Sequence, residues 1–204
     1  MVVHISLDLE TWGKRAGFDA RSIGACHFDL ETGVIYDTFY VACDNPRVYI
    51  SGNPDNDDSY GLKYDLKRDD ETIAWWSRQP EEAQAAFNDP VDLKVCLQLL
   101  TDYIVTKAKS FTKEGQATDV CIWSHGAAFD PPIVDGLFIA TNLPIPWFYR
   151  APRDTRTAFD FAEIDDHTEW LKKHNSGTLH HALYDSISQA RAISMAKSRI
   201  RIVT

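Results

Sequence analysis

VVHISLDLETW, residues 2–12, is the stretch from which the rest of the chain is read. Residues 2 to 9 alternate and are rich in β-branched types, the pattern of a strand. That strand runs directly into Asp8-Leu9-Glu10. Side chains alternate along a strand, so residues two apart share a face and both carboxylates can reach one cation. Alone the signal is weak, because 30 of the 204 residues are Asp or Glu, and an acidic strand end is ordinarily a solvated one.

Two further strands follow, SIGACHFD (22–29) and VIYDTFYVA (34–42), paired as a hairpin across Glu31-Thr32-Gly33. Residues 44–68 are crowded with Asn, Asp, Pro, Gly and Ser, fit no packing period, and read as an exposed excursion. DETIAWWSRQ (70–79) opens on acids suited to a helix start, and Pro80 with EEAQAAF begins a second short helix. In residues 91–111 Leu93, Leu97, Leu100, Ile104 and Val105 recur at helical spacing and give one apolar face. DVCIWSHG (119–126) reads as a buried strand, residues 129–142 as a helix broken early by prolines, and WFYRAPRDTRTAF (147–159) as a last strand region. Ser176-Gly177 marks a break before a final helix from about His180 to Lys197. Strands first, then helix and strand in alternation, predict a single α/β domain over 1–204 with a mixed sheet.

The formal net charge of −9 argues against a sequence-independent electrostatic clamp on phosphate backbones. A centre holding two divalent ions would itself add four charges, and the local field matters more than the total. Cys26, Cys43, Cys96 and Cys121 lie far apart without zinc-site spacing and read as reduced thiols. MVVHISLDLE lacks a basic leader region, and no apolar run reaches membrane length, so no membrane partner and a cytoplasmic location are expected.

Asp130 follows the second apolar strand, in WSHGAAFD, where it either caps and charge-compensates a helix or joins a site beyond the strand ends. His180 and Asp185 are five residues apart, about 140° around a helix, so both cannot face one point from its interior. His180 therefore belongs on the lead-in, with Asp185 one turn inside. A histidine beside carboxylates suits a general base, since its reference pKa of about 6.5 lies near working pH. His174 and His181 read as surface histidines. Asp154 is a competing acid, and of Trp75 and Trp76, adjacent on a helix, at least one is expected in the core.

DLETWG (8–13), HGAAFD (125–130) and HHALYDSISQA (180–190) resemble, in order and spacing, the three motifs of the DEDDh family within the DnaQ-like exonucleases. The likeness runs from residue 3 to about 195. RDTRT (153–157), TIAWWSRQ and the short length make it most similar to the small bacterial and phage branch described as exonuclease VIII-like or 3'-5' exoribonuclease. One position departs: the second motif often carries Asn where Gly126 stands. The resemblance implies an RNase H-like α/β fold, its mixed five-stranded sheet having three antiparallel strands then two parallel, flanked by helices. It implies two Mg2+ or Mn2+ ions held by Asp8, Glu10, Asp130 and Asp185, with His180 as catalytic base and Thr11, Trp12 and Phe129 touching substrate. Hard oxygen ligands favour those ions over zinc. The implied activity is 3'-5' hydrolysis of single-stranded DNA or RNA to nucleoside 5'-monophosphates, and a homodimer is an arrangement the resemblance allows. The alternatives are a phosphodiesterase for small or cyclic oligonucleotides, and a non-catalytic RNase H-like module that binds nucleic acid.

Overall fold

A computed structural model describes residues 2–49, 60–175 and 177–200. The chain runs β1 (Val3–Thr11), β2 (Ala20–Phe28), β3 (Ile35–Asp44), β4 (Arg47–Tyr49), β5 (Tyr60–Leu62), α1 (Asp70–Trp76), α2 (Glu81–Ala85), β6 (Val91–Asp92) and α3 (Leu93–Val105). It continues through β7 (Val120–Ser124), α4 (Asp130–Ala140), β8 (Pro152–Asp154), α5 (Thr155–Phe161), α6 (His167–His174) and α7 (Ala182–Arg199). The main sheet has the order β6-β3-β2-β1-β7-β8. β1, β2 and β3 pair antiparallel, and β7 and β8 add on parallel to β1. The expected five strands are thus present. A sixth, the two-residue β6, pairs parallel with the end of β3.

The two faces of β1 are chemically unlike, and that difference sorts the helices. Val3, Ile5, Leu7 and Leu9 point into the larger core, which α3 and α4 close with Leu93, Leu97, Leu100, Ile104, Ile133, Val134, Leu137 and Phe138. The opposite face carries Ser6, Asp8 and Glu10, opposed on β2 by Cys26, Gly24 and Ser22 in register. Only a helix with small side chains can approach so shallow a face closely. α7 supplies it, burying Ala182, Ser186, Ala190, Ile193 and Ala196.

Several elements differ from their sequence reading. The excursion at 44–68 contains the antiparallel pair of β4 with β5, and residues 50–59 within it lie outside the described residues, as does Ser176 of the expected break. Pro131 and Pro132 do not break α4; they occupy its first turn, where no intrahelical N–H bond is lost. The last strand region shrinks to three residues, because Asp154 ends β8 by capping α5. α6 carried too few apolar residues to register as a core helix, and none of its residues is fully buried. Among the described residues no helix is long and apolar enough to cross a membrane.

Candidate active site

β1 outruns β7. Their parallel pairing ends at Ser6 with Trp123, so beyond it β1 has no strand on that side and its backbone groups need other partners. Leu9 N–H donates to Asp130 Oδ1 at 3.2 Å, which draws the first residue of α4 against the strand end. Asp130 thus works as an acceptor for another strand rather than as a cap for its own helix. A bulge between Glu10 and Thr11 turns the strand end at the same place.

The other acid arrives from α7. His181 caps that helix, its Nδ1 accepting from Leu183 N–H, and Asp185 falls in the first turn. His180 precedes the cap with φ of 61°, a left-handed conformation that costs a non-glycine residue of order 1 kcal/mol. Its backbone N–H donates to Asp185 Oδ2 at 3.1 Å, which locks lead-in and helix together. One ligand atom each of Glu10, His180 and Asp185 lies within 4.8 Å of the others. Gly24 makes this docking possible. A Cβ at Gly24 would penetrate the Ala182 carbonyl group and the Leu183 nitrogen, so the helix start rests on bare strand backbone.

Asp8, Glu10, Asp130, Asp185 and His180 line one cleft of about 1130 Å³, together with Thr11, Phe129, Trp75, His125, Gln189, Lys14, Arg78 and Arg156. Burial and then the charges of Asp130, Glu10 and Asp185 hold the Asp8 carboxyl well above the usual range. Burial, Asp185 and Asp130 do the same to Glu10, with Arg21 pulling the other way. Asp130 is pushed up to about 7 and Asp185 to about 6, both chiefly by burial. Four carboxyl groups in one desolvated place cannot all ionise without cations to offset them. The donor set is all hard oxygen apart from His180, which fits Mg2+ or Mn2+ and fits zinc poorly.

Gln189, which the sequence did not single out, and the Trp75-Trp76 pair support this centre. Gln189, one turn beyond Asp185 on the same face of α7, donates from Nε2 to Asp8 Oδ1 at 2.7 Å, and its Oε1 is buried without a partner. Trp76 is buried, as one of the pair was expected to be, and its indole N–H donates to Thr11 O at 2.9 Å. Trp75 and Trp76 meet the His180 ring edge-on, with centroids at 4.9 and 6.3 Å, and burial lowers the His180 pKa. Arg21 lies against Trp12, Trp76 and Phe87, at 4.4, 4.3 and 3.6 Å from their ring centroids.

The other residues singled out in the sequence differ in their placement. Trp12 does not line the cleft, since its ring is covered by Arg21 and Arg68, and the half-exposed Trp75 presents the indole there instead. Thr11 lines the cleft, its hydroxyl donating to Gly13 O at 2.6 Å and its backbone carbonyl accepting from Trp76. Asp154 is occupied by Arg156 N–H and Thr157 Oγ1, at 3.1 and 2.8 Å. His181 is half-buried between Tyr40 and Tyr184 rather than free at the surface, and His174 packs on Trp170. Gly126 has φ of +131°, a conformation that disfavours Asn, and a Cβ there would point at the Arg156 guanidinium at 3.7 Å.

A family model described as the 3'-5' exoribonuclease Rv2179c-like domain matches residues 3–196. No curated protein matches the chain by sequence. Among solved structures, the nuclease domain of 3'hExo, a DEDDh family member bound to rAMP, superposes with a TM-score of 0.63 at 16% identity, over 99% of this chain and 96% of that one. Cell-death related nuclease 4 gives 0.62 at 13% identity, over 97% and 64%. E. coli exonuclease I in complex with a dA13 oligonucleotide gives 0.61 at 16%, over 97% of this chain and 41% of that one. The chain therefore spans nearly all of the first but less than half the length of exonuclease I. At these identities the likeness is one of fold, the RNase H-like fold of DEDDh exonucleases.

Proposed function

From the premise that this chain belongs to the family of 3'-5' exoribonuclease Rv2179c-like domains, we propose that it hydrolyses single-stranded nucleic acid from the 3' end with two Mg2+ or Mn2+ ions, releasing nucleoside 5'-monophosphates. The observation that carries the reading is the convergence of Asp8, Glu10, Asp130 and Asp185 with His180 in one cleft, desolvated enough to raise every one of the carboxyl pKa values.

The four carboxylates would hold the ions, and Gln189 fixes the Asp8 carboxylate by its 2.7 Å hydrogen bond. Bound divalent ions polarise the scissile phosphate and offset charge on the leaving oxygen. His180 does the proton work. With its pKa lowered by burial, the ring is neutral at working pH and its free nitrogen can accept a proton from water attacking phosphorus. The water oxygen bonds to phosphorus as the bond from phosphorus to the 3' oxygen breaks. The electron pair leaves with that oxygen, which takes a proton from solvent, and the mononucleotide keeps the phosphate. Trp75 and Trp76 fix the ring plane during this exchange.

One observation favours a second reading, cleavage of short or cyclic oligonucleotides: Lys14, Arg78 and Arg156 are the Lys and Arg side chains lining the cleft among the described residues. A polymer track would ordinarily carry more. Matched single-stranded DNA, single-stranded RNA and duplex substrates, each in a length series, separate these readings. Rates that climb with length and mononucleotide products support the polymer; rates flat from two nucleotides upward support the short substrate. Internal cuts without mononucleotide release would refute exonuclease action.

A further inference from the structure

The cations of the cleft are not evenly placed. Lys14 follows β1, and Arg78 follows α1, the helix that carries Trp75. Arg156 comes from the opposite side, at the second position of α5, next to the loop that leaves β7. It is exposed, and among the described residues its guanidinium has no hydrogen bond or ion pair, only its backbone N–H being taken up by Asp154. Gly126 leaves the space beside it clear. Its charge reaches Asp130, offsetting part of the rise that burial causes there.

We propose that Arg156 binds the phosphate one nucleotide to the 5' side of the scissile one, on the strand that is retained. The proposal rests on the 3'-5' reading and extends it to a substrate contact. Ligand atoms of Glu10, His180 and Asp185 lie within 4.8 Å of one another, a cluster that does not include Asp130, and on the 3'-5' reading His180 marks the place where water gives up its proton. In an in-line displacement the leaving oxygen lies opposite the attacking water, which puts the retained strand toward Asp130. Among the described residues Arg156 is the cleft cation whose charge reaches Asp130, and the next negative charge along the strand is the upstream phosphate. A planar guanidinium with all its donors free matches a phosphate in bidentate fashion.

The test compares two dinucleotides that differ only in a 5'-phosphate. Both contain one scissile phosphodiester, and only the 5'-phosphorylated one offers the upstream phosphate. Wild-type protein with Mn2+ is expected to prefer the phosphorylated dinucleotide by roughly tenfold in kcat/KM, the size of one charge-assisted contact. Arg156→Ala removes that preference, the larger loss falling on the phosphorylated dinucleotide, and Arg156→Lys restores part of it. Arg156 is exposed, so an unchanged Tm is expected for both variants. An Arg156→Ala variant that keeps the wild-type preference overturns the proposal, and so does one that loses both substrates equally. Wild-type protein that cleaves neither dinucleotide nor any longer oligonucleotide defeats the exonuclease reading itself, a distinct result.

Discussion

Gly24→Ala adds one methyl group far in sequence from every proposed ligand, and the structure assigns it a large effect. The new Cβ would lie well inside 3.0 Å of the Ala182 carbonyl carbon and the Leu183 nitrogen, where ordinary contact begins at 3.4 Å. Both are backbone atoms, so no side-chain rotation relieves the clash. β2 is central in the sheet and paired on both sides, leaving the first turn of α7 as the part that gives. Overpacking of this kind costs about 1–3 kcal/mol, a fall in Tm of roughly 2–12 °C for a chain of this size. The functional cost is larger. That turn carries Asp185 and fixes His180 through its backbone hydrogen bond, and a displacement of about 1 Å at a reacting centre costs on the order of 100-fold in rate. Calorimetric titration with Mn2+, a thermal melt and an oligonucleotide digestion, run on the same preparation, read all three effects. A folded Gly24→Ala protein with wild-type activity and Mn2+ affinity would refute the argument that the start of α7 rests on bare strand backbone.

His180→Ala is expected to lower kcat by roughly 100- to 10,000-fold, the range for removal of a general base, while Mn2+ affinity falls little; a large loss of affinity instead would make His180 a ligand. Gln189→Leu removes the donor to Asp8 and should weaken Mn2+ binding by roughly 10- to 100-fold, as titration would show. Trp75→Ala unseats one wall of His180 and should lower kcat, with Trp75→Phe retaining most of it, since either ring can meet the imidazole edge-on. For pH, Asp130 near 7 and Asp185 near 6 bind protons in the folded metal-free protein that the unfolded chain has already released. Folded groups holding more protons mean that stability contributed by these acids falls as pH rises between about 4 and 7. Because ions bind the deprotonated acids, the gain in Tm from added Mn2+ should be small at pH 5.5 and large at pH 8.

β1 was legible because its alternation is strict and its acids stand at fixed places in the pattern. The lead-in position of His180 was legible for a geometric reason, as five residues do not return to one helix face. What sequence could not supply were the consequences of close approach. Gly24 looks like an ordinary weak spot in a strand until α7 is seen resting on it. Gln189 reads as one more polar residue on a helix until Asp8 is beneath it. Trp12 and Trp75 are both aromatic and both near the acids in the fold, and only the stacking of Arg21 and Arg68 on Trp12 decides which one lines the cleft. β6 and α6 left too little periodicity to register, the first being two residues long and the second wholly without fully buried residues.

The reading proposed for the cleft is that Asp8, Glu10, Asp130 and Asp185 hold divalent ions and that His180 takes the proton from the attacking water. It is tested most directly by digesting a 3'-labelled single-stranded oligonucleotide in Mg2+ or Mn2+ with wild-type, Asp8→Ala and His180→Ala proteins. Wild type is expected to release labelled nucleoside 5'-monophosphate, none of it with chelator, and either variant almost none. Release of nothing by wild type, or equal release by the variants, would contradict it.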